Sequence, residues 1–324
     1  MTGGAARSDV TRDGASPTAK APLAHTSVSG RLAPCAVWGV LNVTPDSFSD
    51  GGRFLEGSSD GHSLDLEAAV AHGLALRDAG ADVVDVGGES TRPKGATYGE
   101  GYADVSVDEE LARVVPVVAR LVAAGVVVSV DTVKAEVAEA SLTAGATYVN
   151  DVSMGRSEAL LEVCARAEAT LVLMHNRGRG EVREPFTVYG DVIADVRMEL
   201  LAATDRAQSF GVAAERLWLD PGLGFAKTAE QSGRLLAATQ SLVDTGFPVL
   251  VGASRKSFLA KLGAAPGSEV APPSERLGAS LAAAVVAAAA GARAVRVHDV
   301  AETRQALALV HALDGMRSEE ASWR

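Results

Sequence analysis

The stretch Val37-Trp-Gly-Val-Leu-Asn-Val-Thr-Pro-Asp-Ser-Phe-Ser-Asp-Gly-Gly52 decides the fold, because it passes abruptly from a buried strand to a polar loop. Its first half is apolar, largely β-branched and free of charge, which is typical of a parallel strand covered on both faces. Asn42 then interrupts the apolar run, and Thr44-Pro-Asp46 has the chemistry of a turn. An amide at the end of a buried strand either satisfies a neighbouring backbone group or binds a ligand, and this stretch alone leaves both interpretations open.

The same transition from apolar strand to polar loop recurs along the chain. Further strands are expected at residues 82–86, 126–130, 147–149, 170–174, 216–219, 248–251 and 294–297. Helical segments with an apolar period of 3.6 residues separate them. Eight such units over roughly 250 residues predict an α/β fold of the (β/α)8 TIM-barrel class. The rival is an open doubly wound sheet, but the sequence lacks the Gly-x-Gly-x-x-Gly fingerprint that often accompanies one.

Length and composition fit a single domain between two tails. The chain has 324 residues, and the 47% that are apolar suffice for one large core. We assign residues 31–314 to the barrel, residues 1–30 to a disordered N-terminal tail and residues 315–324 to a C-terminal tail. The first tail lacks the apolar core of a signal peptide, and no apolar run is bulky and long enough to span a bilayer. A cytoplasmic protein without a membrane partner is therefore expected.

Charge and cysteine content narrow the classes of partner. The net charge of −11 argues against binding to nucleic acid, which requires a basic face. Cys35 and Cys164 lie far apart in the sequence and indicate neither a disulfide framework nor a zinc site. A small anionic ligand held by a local group of cations is compatible with this composition.

The unusual polar residues lie at or just after the C-terminal ends of the predicted strands. In a barrel these ends share one mouth, which is where barrel enzymes hold their substrates. One such residue could be a local hydrogen-bonding partner, but their recurrence predicts an active site. They are Asn42, Thr91 with Arg92, Asp131, Asn150, His175, Asp220, Ser254 with Lys256, and Arg296 with His298.

One group of these residues is rich in acceptors, namely Asp131, Asn150 and Asp220. Carboxylates in a barrel mouth can bind a metal, transfer protons or accept hydrogen bonds from a donor-rich heterocycle such as an aminopyrimidine. Salt bridges to nearby lysine or arginine are the alternative for each aspartate taken alone.

A second group consists of cations and donors from three strand ends, namely Arg92, Lys256, Arg296 and His298. Together they indicate a phosphate or diphosphate site, and Ser254 with the first N–H groups of the next helix could hold a carboxylate. For Arg255, interaction with solvent alone is the favoured interpretation. His298 could equally be a neutral histidine bonded to a backbone carbonyl, and His175 is ambiguous.

Seven motifs carry a family resemblance. They are Leu-Asn-Val-Thr-Pro-Asp-Ser-Phe-Ser-Asp-Gly-Gly (41–52), Asp-Val-Gly-Gly-Glu-Ser-Thr-Arg-Pro (85–93), Ser-Val-Asp-Thr (129–132), Asn-Asp-Val (150–152), Asp-Pro-Gly-Leu-Gly-Phe (220–225), Ser-Arg-Lys-Ser (254–257) and Arg-Val-His-Asp-Val (296–300). In this order the chain resembles the dihydropteroate synthase family from Val37 to Leu313. Leu223 departs from the family, where many members carry an aromatic residue, and Asn176 is a variation.

The resemblance implies a transferase of folate biosynthesis that condenses 6-hydroxymethyl-7,8-dihydropterin diphosphate with 4-aminobenzoate and releases diphosphate. The implied pterin contacts are Asp131, Asn150, Met174, Asp220 and Lys256. The implied diphosphate contacts are Asn42, Arg92, Arg296 and His298, with Mg²⁺ held by Asn42. The implied aminobenzoate contacts are Thr91, Arg92, Pro93, Phe225 and Ser254. The implied catalytic residues are Asn42, Lys256, Arg296 and His298.

The resemblance further implies a homodimer, closure of the loops 44–52 and 91–95 over the substrates, and competition by sulfonamides at the aminobenzoate site. Two alternatives stay open. A divergent paralogue could bind pterins without condensing them, although the intact Asn42, Lys256, Arg296 and His298 argue against it. A methyltetrahydrofolate:corrinoid methyltransferase on the same barrel holds no diphosphate, which would leave the cationic group without a purpose.

Overall fold

The computed structural model describes residue 1 and residues 35–43, 65–89, 105–178, 181–264 and 270–321. Eight strands and ten α-helices alternate in this part of the chain. The strands are β1 (Ala36–Asn42), β2 (Val83–Gly87), β3 (Val128–Asp131), β4 (Tyr148–Asp151), β5 (Thr170–Met174), β6 (Leu217–Asp220), β7 (Leu250–Val251) and β8 (Ala294–Val297). The helices are α1 (Leu66–Asp78), α2 (Val107–Ala123), α3 (Ala135–Thr143), α4 (Glu158–Arg166), α5 (Val192–Ser209), α6 (Ala229–Ala237), α7 (Thr239–Val243), α8 (Ser257–Gly263), α9 (Leu277–Ala289) and α10 (Val300–Ala321).

The strands form one parallel sheet that closes on itself. Their order is β6-β5-β4-β3-β2-β1-β8-β7. An isolated parallel bridge between Leu219 and Val249 joins the two ends, and the amide of Leu219 donates to the carbonyl of Pro248 over 2.9 Å. The prediction of a (β/α)8 barrel is confirmed, because in an open sheet of this order β6 and β7 would be opposite edges.

Capping residues define the starts of α4 and α6. Thr228 and Gln231 form a reciprocal capping box at the start of α6. The hydroxyl of Ser157 accepts from the amide of Leu160 at the start of α4. Helix α10 continues to Ala321, so residues 315–321 are helical although the sequence predicts a disordered tail from residue 315.

An aromatic cluster fills the barrel interior at the N-terminal side of the strands. The rings of Trp38 and Tyr148 meet edge to face at 4.9 Å between centroids, and Trp218 lies 5.8 Å from Trp38 and 6.0 Å from Tyr148. Each ring is nearly inaccessible to solvent. A larger apolar layer of valine, leucine and alanine lies between the strands and the surrounding helices. The aromatic cluster therefore forms a floor, and space for a ligand lies at the other end of the barrel.

Two sequence predictions concern features outside the site. No helix among the described residues is long and apolar enough to cross a membrane. The predicted N-terminal tail, residues 1–30, lies outside the described residues except for Met1.

Candidate active site

The two-residue period of a strand directs polar side chains into the barrel above the aromatic floor. Asn150 follows Tyr148 by two residues in β4, and Asp220 follows Trp218 by two residues in β6. The same alternation brings Asp85 of β2 to this interior. The other strand-end residues of this face are Asn42, Asp131, Arg296 and His298. Of the residues predicted to converge, Asn42, Asp131, Asn150, Asp220, Arg296 and His298 thus lie at one mouth, whereas His175 is buried against Glu199 and Lys227.

A guanidinium from β8 joins carboxylates from two other strands. Nε of Arg296 donates to Oδ2 of Asp85 over 2.5 Å, and Nη2 donates to Oδ2 of Asp131 over 2.8 Å. The amide nitrogen of Asn150 donates to the same Oδ2 of Asp85 over 3.3 Å. Four strand ends are therefore tied into one charged network. Asp85 is fully buried, so its charge is compensated within the protein.

Three buried acceptor oxygens in this network have no hydrogen-bond partner among the residues that the structure describes. They are Oδ1 of Asp85, Oδ1 of Asp131 and Oδ1 of Asn150. Buried acceptors are normally satisfied, so a set of three indicates a place where a ligand donates hydrogen bonds. A heterocycle with several N–H groups has the matching chemistry.

The carboxyl of Asp131 has an unusual proton affinity. Burial raises its pKa to about 7, with repulsion from Asp85 adding to the effect and the attraction of Arg296 opposing it. Because the raised pKa reflects loss of solvent, a ligand that donates hydrogen bonds to the carboxylate would favour its charged form.

Asp220 and Lys256 form a second acid–base pair at the mouth. A Cβ on Gly252 would lie 3.8 Å from both Oδ2 of Asp220 and Nζ of Lys256, so the two charged groups lie on either side of the same point. Nζ of Lys256 donates to the carbonyl of Leu223 over 2.7 Å and lies 4.8 Å from the ring centroid of Phe225. Burial lowers the pKa of Lys256 to about 8 and raises that of Asp220.

His298 and Ser254 are paired across β8 and the loop after β7. Nδ1 of His298 lies 3.1 Å from the hydroxyl of Ser254, which also accepts from the amide of His298 over 3.2 Å. Both residues face the mouth at the same end as Lys256. This arrangement fixes the orientation of the imidazole.

Arg255 corrects a prediction from the sequence. Its Nε and Nη2 donate to the two oxygens of Asp299 over 3.1 and 2.6 Å, and the side chain is 21% exposed. Interaction with solvent alone is therefore wrong for Arg255, because a bidentate ion pair holds it. Arg255 has a φ of 59°, and its partner Asp299 differs from the Leu223 carbonyl that Lys256 binds.

Asn42 is the residue predicted from the sequence to contact a metal ion. It ends β1, and its Oδ1 lies 3.8 Å from where a Cβ on Gly87 would stand, with Cβ of Asp131 3.5 Å from the same point. In the described residues, no group of three or more His, Cys, Asp or Glu side chains could hold a metal. An amide oxygen is a hard ligand, so the site fits a Mg²⁺ that takes most of its ligands from substrate and water.

Sequence reasoning misses Asp85 and the buried charges behind the β6 loop. A carboxylate in the middle of the apolar strand Val83–Gly87 is the signal that could have identified Asp85. His175 is fully buried and contacts Glu199 and Lys227. No local sequence pattern predicts these two contacts.

Thr91, Arg92 and Pro93, with the loops 44–52 and 91–95, lie outside the described residues. The segment before them ends at Glu89, whose carboxylate accepts from Nζ of Lys134 over 2.5 Å.

Comparison with known proteins agrees with this geometry. The family model described as pterin binding enzyme matches residues 38–298. The chain therefore belongs to the family of pterin-binding enzymes.

Several dihydropteroate synthases are among the proteins that this chain resembles. The dihydropteroate synthase of Mycobacterium leprae is 49% identical over 284 residues, which cover 87% of this chain and 94% of that protein. The structure of Xanthomonas albilineans dihydropteroate synthase with 4-aminobenzoic acid has 42% identity and a TM-score of 0.74, covering 87% of this chain and 94% of the other. The same enzyme in complex with 7,8-dihydropteroate has 41% identity, a TM-score of 0.72 and the same coverage.

Proposed function

We propose that this chain is a transferase that condenses 6-hydroxymethyl-7,8-dihydropterin diphosphate with 4-aminobenzoate, giving 7,8-dihydropteroate and diphosphate. The observation that carries the proposal is the meeting of three buried acceptor oxygens with the cations Arg296 and Lys256 at one mouth. The aminopyrimidine of a pterin supplies N–H donors for the acceptors, and a diphosphate supplies negative charge for the cations. Membership of the pterin-binding enzyme family supports the same reaction.

The pterin is assigned to the acidic side of the mouth. Asp131, Asn150 and Asp220 accept from its ring N–H groups, and Lys256 donates to a ring acceptor. Met174 pairs with Asp220 in the register of β5 and β6 and is buried, so it offers an apolar contact to the ring. Binding of ring donors favours the charged form of Asp131, which lowers its pKa from the raised value of the unliganded protein.

The diphosphate is assigned to Arg296, His298 and Asn42. In the reaction the C–O bond to the pterin methylene breaks, and its electron pair leaves on the diphosphate. The lone pair of the arylamine forms the new C–N bond, and the nitrogen then releases a proton. A neutral arylamine already carries its lone pair, so the main task of the protein is to stabilise charge on the departing oxygens. Arg296 and His298, two residues apart at the end of β8, supply cationic and donor groups there.

We further propose that Asn42 helps to hold a Mg²⁺ ion. Bound beside Asn42, the ion would add positive charge next to the diphosphate oxygens as a Lewis acid. The hard amide oxygen at the mouth supports this assignment.

The aminobenzoate is assigned to the outer part of the mouth. Phe225 and Ser254 belong to the loops after β6 and β7, on either side of Lys256, and Thr91, Arg92 and Pro93 complete the proposed site from the β2 loop. A sulfonamide that carries an aminophenyl ring has the shape and the amino group of 4-aminobenzoate. We therefore expect such sulfonamides to compete with 4-aminobenzoate for this part of the site.

We also propose a cytoplasmic homodimer. Cys35 and Cys164 are both free thiols, which suits a reducing compartment. Helices α9 and α10 pack together and carry exposed apolar side chains, among them Val286 at 44% and Leu309 at 61% exposure. Paired faces of this kind mark protein interfaces, and a Val286→Glu change that converts a dimer to a monomer in sedimentation would support the assignment.

The function is tested by measuring diphosphate release and dihydropteroate formation from the two substrates, with and without Mg²⁺. We expect both products to appear together, to require 4-aminobenzoate and to depend on Mg²⁺. Tight pterin binding without dihydropteroate would contradict the proposal and favour a divergent paralogue. Methyl transfer from methyltetrahydrofolate to a corrinoid would favour the methyltransferase. Product formation that is unchanged by a metal chelator would overturn the assignment of Mg²⁺ alone.

A further inference from the structure

We propose that Lys227 is a positioning residue for this reaction, because its buried ammonium fixes the backbone of residues 221–226, which surround Lys256. The inference rests on the proposed function, since its consequence is a change in pterin binding. Lys227 lies behind the loop and is assigned no contact with substrate.

Three acceptors lie within 3.0 Å of Nζ of Lys227, and the carbonyl of His175 is a fourth at 3.4 Å. Nζ lies 2.9 Å from Nδ1 of His175, 3.0 Å from the carbonyl of Gly222 and 2.9 Å from the carbonyl of Phe225. The residue is 1% exposed. Burial lowers the pKa of this lysine to about 7, and the attraction of Asp220 opposes that shift. A lysine ammonium has three N–H donors, so the three short contacts use its full capacity. Two of the three acceptors belong to the loop backbone.

His175 presents a lone pair to Lys227 because of its other partner. Nε2 of His175 lies 3.1 Å from Oε2 of Glu199, which Arg177 also contacts. Burial lowers the pKa of His175 to about 4, so the ring is neutral. Although burial opposes it, hydrogen bonds from His175 and Arg177 bring the pKa of Glu199 to about 2, so this carboxylate is charged. Nε2 therefore carries the proton and donates to Glu199, and Nδ1 accepts from Lys227.

The loop held by Lys227 has a backbone that needs support. Gly222 has a φ of 63°, and a Cβ there would lie 2.0 Å from the carbonyl oxygen of His175. Ala226 has a φ of 49°, which is unfavourable for a residue with a side chain. The hydroxyl of Tyr189 donates to the carbonyl of Ala226 over 3.1 Å. Side-chain hydrogen bonds from Lys227 and Tyr189 therefore compensate for local strain.

This loop determines what surrounds Lys256. Its Leu223 carbonyl accepts from Nζ of Lys256 over 2.7 Å, and its Phe225 ring lies under the same nitrogen. The amide of Gly222 donates to Oδ1 of Asp220 over 2.7 Å, which orients that carboxylate. A shift of the loop would displace the partners of both groups to which the pterin is assigned. The buried ammonium thus acts on pterin binding through the backbone.

The test compares Lys227→Met with Lys261→Met, a matched change at an exposed lysine of α8. In Lys227→Met we expect the KM for the pterin diphosphate to rise by roughly tenfold or more, with kcat changed by less than about threefold. The departing diphosphate is held from β1 and β8, which explains the smaller effect on kcat. Lys261→Met should match the unchanged protein in both constants.

Hydrogen exchange supplies a readout that does not depend on catalysis. We expect faster exchange in a peptide covering residues 217–232 of Lys227→Met and unchanged exchange in the other strands. A lower Tm with unchanged KM, or exchange that rises equally throughout the barrel, would overturn the proposal and leave Lys227 as a general stabilising residue. Should wild type form no dihydropteroate, the proposed function fails, whereas loop exchange in Lys227→Met still decides the positioning role.

A second variant keeps the test decisive if Lys227→Met does not fold. Glu199→Gln removes the negative charge beside Nε2 of His175 and adds an N–H donor there, while leaving Lys227 in place. We expect the same direction of change, with a KM increase of about threefold. No change in KM or in loop exchange for Glu199→Gln would contradict the relay from Glu199 through His175 to Lys227.

Discussion

Nη2 of Arg296 donates to Oδ2 of Asp131 over 2.8 Å, although the two residues are 165 positions apart in the sequence. They enter the mouth from β8 and β3, which β1 and β2 separate in the sheet. The same guanidinium binds Asp85. A cation assigned to the departing diphosphate therefore also compensates the carboxylates on the pterin side, so the two halves of the site are electrostatically linked.

Replacing Arg296 should therefore damage stability as well as activity. Arg296→Met leaves two buried carboxylates without their cation, and we expect a loss of about 3 kcal/mol in the free energy of unfolding and roughly a 10³-fold fall in kcat/KM. Arg304→Met is the control, because Arg304 pairs with the half-exposed Asp82 at the opposite end of the barrel. Chemical denaturation that shows equal stability for the two variants would contradict the prediction.

The raised pKa of Asp131 predicts a dependence of stability on pH. The unfolded carboxyl titrates near about pH 4, whereas the folded one titrates near about 7. Between these two pKa values the folded protein binds the proton more tightly than the unfolded chain does. The stabilisation by proton binding is therefore complete below about pH 4 and is lost as the pH rises through about 7. The unfolding free energy of wild type should thus fall with pH relative to Asp131→Asn. Asp205→Asn, at an exposed site of α5, is the control for the substitution, and parallel curves for wild type and Asp131→Asn would refute the assignment.

Replacing Lys256 should mainly reduce turnover, whereas replacing its neighbour Arg255 should mainly reduce stability. Lys256→Ala removes a cation at the mouth, and we expect kcat/KM to fall roughly 10³-fold with a small change in Tm. Arg255→Ala breaks the ion pair with Asp299, and we expect a loss of about 2 kcal/mol in stability with turnover within about tenfold of wild type. Steady-state kinetics and thermal unfolding measure both effects, and equal losses of turnover would show that the two roles are assigned wrongly.

Gly222 is expected to resist even the smallest substitution. In Gly222→Ala the new methyl group would meet the carbonyl of His175, so the loop must move, with a loss of about 3 kcal/mol or more. Gly246→Ala is the matched control, because its φ is also positive but nothing lies within 4 Å of the added Cβ. There only the backbone strain of about 1 kcal/mol should remain. A similar Tm for the two alanine variants would mean that the loop accommodates the methyl group.

Lys134 should affect the aminobenzoate more than the pterin. Its Nζ binds both Glu89, just before the β2 loop, and the buried Glu110 of α2. Lys134→Met removes the ion pair that holds Glu89, which precedes Thr91 and Arg92 in the sequence. We therefore expect the KM for 4-aminobenzoate to rise about tenfold. A change confined to the KM for the pterin diphosphate would contradict this assignment, and Lys261→Met again serves as the control.

The sequence predicts the barrel well because its signals are local. Apolar strands, caps such as Ser157 and Thr228, and a polar residue after each strand all depend on near neighbours in the chain. Asn150 and Asp220 could be placed at the mouth because they lie at the C-terminal ends of predicted strands, which meet at one end of a barrel.

Contacts between distant elements are what the sequence does not reveal. The sequence near Arg255 does not predict its ion pair with Asp299, and the sequence near Lys227 does not predict its contact with His175. Each contact depends on the stagger of the strands and on the path of a loop. A buried lysine and an exposed one look alike in a sequence. Burial, which changes the chemistry of such a residue, is a property of the assembled fold.

The junction between β6 and β7, where the sheet closes, has a mechanical consequence for the barrel. β6 meets the chain before β7 through the bridge Leu219–Val249, whereas β1 and β2 share a five-residue register. The β6–β7 junction is therefore held by fewer backbone pairs than the β1–β2 junction, and its bridge lies one residue before Asp220. Under the proposed function, a pterin bound between Asp220 after β6 and Lys256 after β7 would add a second connection across this junction, so that substrate binding would also stabilise the barrel.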